Sequence, residues 1–191
     1  AFAISGIIIG TISAVAQAAH QIALSCASFT FMVSMGLSQA GSIRVSNAYG
    51  QSDWKKIRVI GKTTLFPALI YGSCCAFCFI LFRLKLPGLF NKNPEVVHLA
   101  SVLLLFAAVF QISDSTQAIG AGLLRGIKDV KIPTWFVSIA YWIIGLPAGY
   151  VLAFHFDLQA PGIWLGFIAG LTMASFLLII RFMRMLRKFD K

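Results

Sequence analysis

Between Ala1 and Ile43 the chain contains no Lys, Arg, Asp or Glu. A helix on the surface of a soluble protein would carry charged residues every turn or so along its water-facing side. This run carries none, and it is long enough for two membrane crossings at about 20 residues each. Uncharged runs recur from Thr63 to Phe82, from Ile132 to Phe156 and from Leu158 to Ile180, while the run from Val96 to Leu124 holds a single carboxylate, Asp114. The pattern predicts an all-α integral membrane bundle with six transmembrane helices, over about 1–18, 21–43, 57–82, 96–124, 132–156 and 158–187. Barrel strands would alternate polar and apolar residues over about ten positions, and these runs do not.

Composition agrees with lipid as the main solvent, since 59% of the residues are hydrophobic and 12% charged, too little polar surface to cover a soluble globule. The net charge of +10 raises the question of nucleic acid, and the distribution of that charge answers it. Numbering the gaps between helices puts Arg44, Lys55, Lys56, Arg58, Lys62, Arg125, Lys128, Lys131, Arg181, Arg184, Arg187, Lys188 and Lys191 on one side and Arg83, Lys85 and Lys92 on the other. Basic residues in short loops stay cytoplasmic. The loops near Lys55 and Lys128 and the C-terminus are therefore expected inside, with Lys92 and Asp157 outside. A nucleic-acid surface would interleave its basic residues with exposed aromatics, whereas these bracket spans of lipid length.

The chain opens with Ala inside an apolar run, which reads as a fragment of a longer protein, and no cleavable signal peptide is expected in these residues, because the first helix has no basic stretch in front of it and is followed at once by a second. Gly50-Gln51-Ser52-Asp53 closes one helix and offers Ser52 or Asp53 as the N-cap of the next, with Trp54 at an interfacial position. Asn93-Pro94-Glu95 supplies a cap, a first-turn proline and a carboxylate at the positive end of a helix dipole. Pro133 falls near another first turn, and Pro67 and Pro147 lie inside spans, where each removes a backbone hydrogen bond. Gly162, Gly166 and Gly170 form a flat strip suited to close helix packing, and Gly145 and Gly149 form a shorter one.

Asp114 is the residue with most to say about function. A carboxylate near the middle of a span carries an insertion penalty of about 2.5 to 3.5 kcal/mol, so it faces a bundle interior or a water-filled cavity. Gln111 and Gln117 lie within about 60 degrees of it around the helix, giving a polar stripe suited to a cation or proton; the structural alternative is an Asp held by a neighbouring helix. Cys26, Cys74, Cys75 and Cys78 read as small hydrophobes, because the Cys75 to Cys78 spacing lies mid-span without a second ligand pair, and no metal site is expected. His20, His98 and His155 read as polar residues near helix ends. No GxSxG, HExxH, P-loop or GxGxxG pattern is present, so the chain is not expected to be an enzyme.

Several segments, taken together, resemble the multidrug and toxic compound extrusion (MATE) family in its NorM-like branch. They are Ala18-Ala19-His20-Gln21-Ile22-Ala23, then Gly36-Leu37-Ser38-Gln39-Ala40 with Arg44-Val45 and Gly50-Gln51. Next come Asp114-Ser115-Thr116-Gln117 with Gly122-Leu123-Leu124-Arg125-Gly126, Asp129 and Pro133. Tyr141-Trp142, Gly145-Leu146-Pro147 and Gly162-Ile163-Trp164-Leu165-Gly166 complete the series. The resemblance implies that residues 1–191 are the C-terminal six-helix lobe, helices seven to twelve, of a twelve-helix antiporter in the plasma (inner) membrane, with the N-terminal lobe lying outside this chain. It implies export of cationic or amphipathic drugs and toxins by alternating access, coupled to Na+ or H+ and needing no other cofactor. By the same resemblance Asp114, with Gln111 and Gln117, is the cation or proton site, while Arg125, Gly126 and Asp129 form a cytoplasmic element that takes part in the conformational change. The partners implied are the small-molecule substrates, the bilayer and the missing lobe. Two alternatives stand beside this reading: a lipid-linked oligosaccharide flippase of similar architecture, and a non-transporting membrane or channel protein in which Asp114 only pairs helices.

Overall fold

The computed structural model describes residues 2–189, and every regular element among them is helical. In chain order these are α1 (Phe2–Ile12), α2 (Ala14–Gly50), α3 (Trp54–Phe82), a short α4 (Leu86–Phe90), α5 (Pro94–Gly126), α6 (Lys131–Ile139), a π-helical segment (Ala140–Gly145), α7 (Leu146–Phe154) and α8 (Gln159–Phe189). Five stretches are long and apolar enough to cross a membrane, with α6, the π segment and α7 forming one of them, and α1 is a shorter apolar helix. Ala1, Asp190 and Lys191 lie outside the described residues, so the expected start of the first helix and the charge at Lys191 have no structural counterpart here.

The first two helices divide differently from the expectation of 1–18 and 21–43. The break falls at Ser13, whose backbone is extended (φ −167, ψ 158) and whose hydroxyl accepts from the Ala16 N–H at 2.9 Å, an N-cap of the usual kind. Ala18-Ala19-His20-Gln21 contains no glycine, proline or cap residue, and α2 runs through it without interruption to Gly50. At about 1.5 Å per residue α1 rises only about 16 Å, half the hydrocarbon thickness. Phe2 accordingly sits at mid-bundle, edge-on to Phe110 and Tyr141.

The other junctions follow the predicted punctuation. Asp53 caps α3 through the Lys56 N–H at 2.9 Å, with Ser52 taking up a left-handed backbone (φ 55). Asn93 caps α5 through the Glu95 N–H at 3.0 Å. The span expected over 132–156 is not a single regular helix. Pro147 has no N–H to offer Ile143, and just ahead of it the Leu146 N–H bonds to the Tyr141 carbonyl five residues back, the π pattern.

α5 runs through the centre, packed on α2, α3 and α8. Its apolar contacts fall into two clusters. One surrounds Leu103, Leu104, Trp164 and Phe167 toward its N-terminal half, and the other surrounds Leu123, Leu124, Val45 and Phe182 toward Gly126. A polar belt separates them. The Thr30 hydroxyl donates to Gln111 Oε1 at 2.8 Å, Ser34 and Ser115 share a hydrogen bond of 2.9 Å, Ser113 and Thr172 share one of 2.8 Å, and Ser38 donates to the Ala118 carbonyl at 2.7 Å. Hydroxyls of this kind can bind across helices where no water competes.

Glycines set the closest approaches. A Cβ on Gly166 would collide with the Gly145 carbonyl and the Gly149 backbone, and one on Gly170 would lie 2.7 Å from the Ala140 carbonyl. The strip anticipated on α8 therefore seats α7 and the π segment backbone to backbone.

Candidate functional site

Asp114 opens into a cavity of about 420 Å³ whose walls include Phe2, Phe31, Phe110, Tyr141, Ser28 and Gln117. The carboxylate is buried, with 6% of its residue surface exposed, and among the described residues it has no hydrogen bond or ion pair. The tilt of the stripe matters here. Residues 111 and 117 flank 114 by about 60 degrees on opposite sides, and the cavity lies on the Gln117 side. Gln111 is fully buried against α2, with its Nε2 left without a partner, and does not line the cavity. The expected trio is thus split: Asp114 and Gln117 face the cavity, while Gln111 holds α5 to Thr30.

A second cavity of about 240 Å³ lies toward the Gly126 end of α5, lined by Arg125, Asp129, Thr134, Val137, Ser138 and again Gln117. Gln117 therefore borders both. Asp129 follows a helix end in which the Asp129 N–H bonds to the Leu124 carbonyl at 3.0 Å and Lys128 adopts a left-handed backbone (φ 61), the Schellman pattern. That turn aims the Asp129 carboxylate at Arg181 on α8, where the guanidinium Nε donates to Oδ2. Gly126 differs from its expected place in a loop. It is the last residue of α5, buried, and a Cβ there would lie 2.7 Å from Val45, so it acts through packing on α2.

Three features escaped the sequence reading. The aromatic walls come from four elements, and Tyr141 reaches the cavity from the π segment, whose sequence signal was the Pro147 that follows it. The Asp129 to Arg181 pair joins residues 52 apart, with no local signal. His20 lies in the core rather than at a polar boundary, with Trp164 donating its indole N–H to His20 Nδ1 at 3.2 Å.

A family model described as MatE matches residues 1–151. The chain belongs to this family. Over 184 residues it is 41% identical to the protein named multidrug resistance protein MdtK of Yersinia pseudotuberculosis, an alignment covering 94% of this chain and 40% of that relative. The MdtK of Proteus mirabilis is likewise 41% identical, over 194 residues, covering 100% of this chain and 42% of the relative. The chain thus spans about two-fifths of the length of the curated relatives it matches. Its fold superposes on a solved eukaryotic MATE transporter, AtDTX14, with a TM-score of 0.90 at 22% identity, covering 98% of this chain and 44% of that one. This MatE chain is a multi-pass membrane protein, all-helical and consistent in architecture with one lobe of such a transporter.

Proposed function

We propose that this MatE chain is the C-terminal lobe of a NorM-like, twelve-helix exporter, expelling cationic or amphipathic compounds across the plasma membrane by alternating access in exchange for Na+ or H+. Its C-terminus faces the cytoplasm in this reading. The observation that carries it is Asp114, a buried carboxylate at the level of the polar belt, lining an aromatic-walled cavity with no hydrogen-bond or ion-pair partner among the described residues. An isolated mid-membrane acid is retained at a stability cost when it binds something. Asp114 binds and releases the coupling cation or the substrate's positive charge, Gln117 lends the second polar group, and Gln111 fixes the helix that carries both. The names of the MdtK relatives support a multidrug substrate range. Among the described residues no Lys or Arg lines the Asp114 cavity, which favours cations over the anionic headgroups that a lipid-linked oligosaccharide flippase would handle.

Dye efflux tests the proposal. Cells expressing the full-length polypeptide that carries this lobe should extrude a lipophilic cationic dye faster when a sodium or a proton gradient is imposed, and collapsing that gradient should abolish the difference. Equal efflux with and without both gradients would contradict the reading.

A further inference from the structure

α3 and α8 both pack on α5 and touch each other at Gly61, where a Cβ would lie 2.6 Å from the Phe182 ring. From that crossing they flank a groove along α5. Ile112 of α5 lies against Gly72 of α3, Ser113 bonds to Thr172 of α8, and positions 109 and 116 fall between those two directions around the helix. Val109 and Ile112 are exposed although α5 is the central helix, so the groove has an uncovered, apolar floor. Its walls are apolar too, with Leu69 of α3 and Phe176 and Met183 of α8 exposed. Neither the Asp114 cavity nor the one at Arg125 is lined by a residue of α3 or α8, so the groove is a separate feature.

One end of this groove is positively charged. Positions 62, 65 and 69 of α3, and 176, 180, 183 and 187 of α8, follow the three- and four-residue steps that stack side chains on one helix face, so Lys62 and Arg187 head the two faces that form the walls. Helical side chains lean toward the helix N-terminus. Because α3 begins at this end of the bundle and α8 finishes there, Lys62 leans out of the bilayer, Arg187 leans into it, and the two converge. Both are exposed, and neither has an ion pair among the described residues. From Lys62 to Gly72, which lies beside Ile112, α3 rises about 15 Å, half of a hydrocarbon core of about 30 Å. A lipid of one leaflet therefore matches the groove in length, its phosphate level with the two cations and its chain over the floor. We propose that the groove between α3 and α8 binds an anionic phospholipid, with the phosphodiester held by Lys62 and Arg187 and an acyl chain along Val109, Ile112 and Leu69. A zwitterionic phospholipid would bring its ammonium up to the same two cations and binds less well. The site does not depend on the transport reading above.

Competition between two lipids tests the site. The full-length polypeptide in detergent is given equal amounts of phosphatidylglycerol and phosphatidylethanolamine with identical chains, and native mass spectrometry reads the ratio of the two retained, which cancels differences in protein amount. Wild type should retain phosphatidylglycerol in excess. Lys62→Gln and Arg187→Gln should each lower the ratio about fivefold, and the double variant about thirtyfold, the scale of one and two basic contacts to an anionic lipid. Lys56→Gln removes a charge about 120 degrees around α3 from Lys62 and should leave the ratio unchanged. Val109→Trp fills the exposed floor without touching the charges and should lower retention of both lipids. A double variant with the wild-type ratio, an equal drop in Lys56→Gln and Lys62→Gln, or wild-type retention in Val109→Trp would overturn the site. So would displacement of the phosphatidylglycerol by inorganic phosphate, which has the charge but no chain.

Discussion

The indole N–H of Trp164 meets Nδ1 of His20 at 3.2 Å, tying the first turns of α2 to the first turns of α8. Both residues are buried. Because Nδ1 accepts, the imidazole proton sits on Nε2, which has no partner among the described residues, and the indole bond is what orients the ring. Trp164→Phe keeps the aromatic packing on Phe110 and Phe167 and removes the donor. It should lower stability in detergent by about 1 kcal/mol, the scale of interhelical hydrogen bonds in membranes. Adding His20→Ala to that variant should cost less than His20→Ala alone. Additive losses in the thermal unfolding of the double mutant would show that the two residues are not coupled.

Gly166 should tolerate no side chain. A Cβ there would lie 2.5 Å from the Gly149 Cα, whereas one on Gly36 meets nothing within 4 Å. Gly166→Leu is therefore expected to destabilise by about 1 to 3 kcal/mol or more through overpacking, while Gly36→Leu should leave folding intact. Equal melting temperatures for the two variants would remove the packing role assigned to the α8 strip.

The Asp129 to Arg181 pair ties the α5 to α6 turn to α8, with side chains 11% and 25% exposed. That is between a surface pair and a buried one, so Asp129→Asn should cost about 1 to 3 kcal/mol. The exchange Asp129→Arg with Arg181→Asp should recover part of it. Thermal melts of the single and exchanged variants check this; no recovery would mean that the turn depends on the local geometry of Asp129 rather than on charge.

Sidedness follows from the basic asymmetry. Lys92 and Lys128 are both exposed and flank opposite ends of α5, whose 33 residues rise about 50 Å. In a cysteine-free background, an impermeant thiol reagent added to intact cells should label a cysteine at 92 and spare one at 128. The reverse pattern would invert the orientation.

The spans were readable because charge cannot sit in lipid without a penalty: the expected bounds of 57–82, 96–124 and 158–187 lie within a few residues of α3, α5 and α8, and Asn93 and Asp53 cap where a cap chemistry was available. What stayed hidden was set by tertiary contact. The break at Ser13 rather than near His20 has the weak signal of one serine inside an apolar run. The π segment required knowing how Pro147 is relieved, and that depends on α8 approaching at Gly166 and Gly170. Asp114 stood out from its residue type and depth alone. That Gln111 turns to Thr30 and Gln117 to the cavity was not legible, since a helix periodicity gives the angle between residues but not the direction of the neighbouring helix.

Asp114 carries the proposed coupling of export to an ion gradient. The direct measurement is gradient-driven dye export by the full-length polypeptide with Asp114→Asn, which removes the charge while keeping the size and most of the hydrogen-bonding capacity, at membrane abundance matched to wild type. The variant should insert and fold, and its export should lose all dependence on the imposed sodium or proton gradient. Export at the wild-type rate with the wild-type ion dependence would make Asp114 a structural residue and contradict the account.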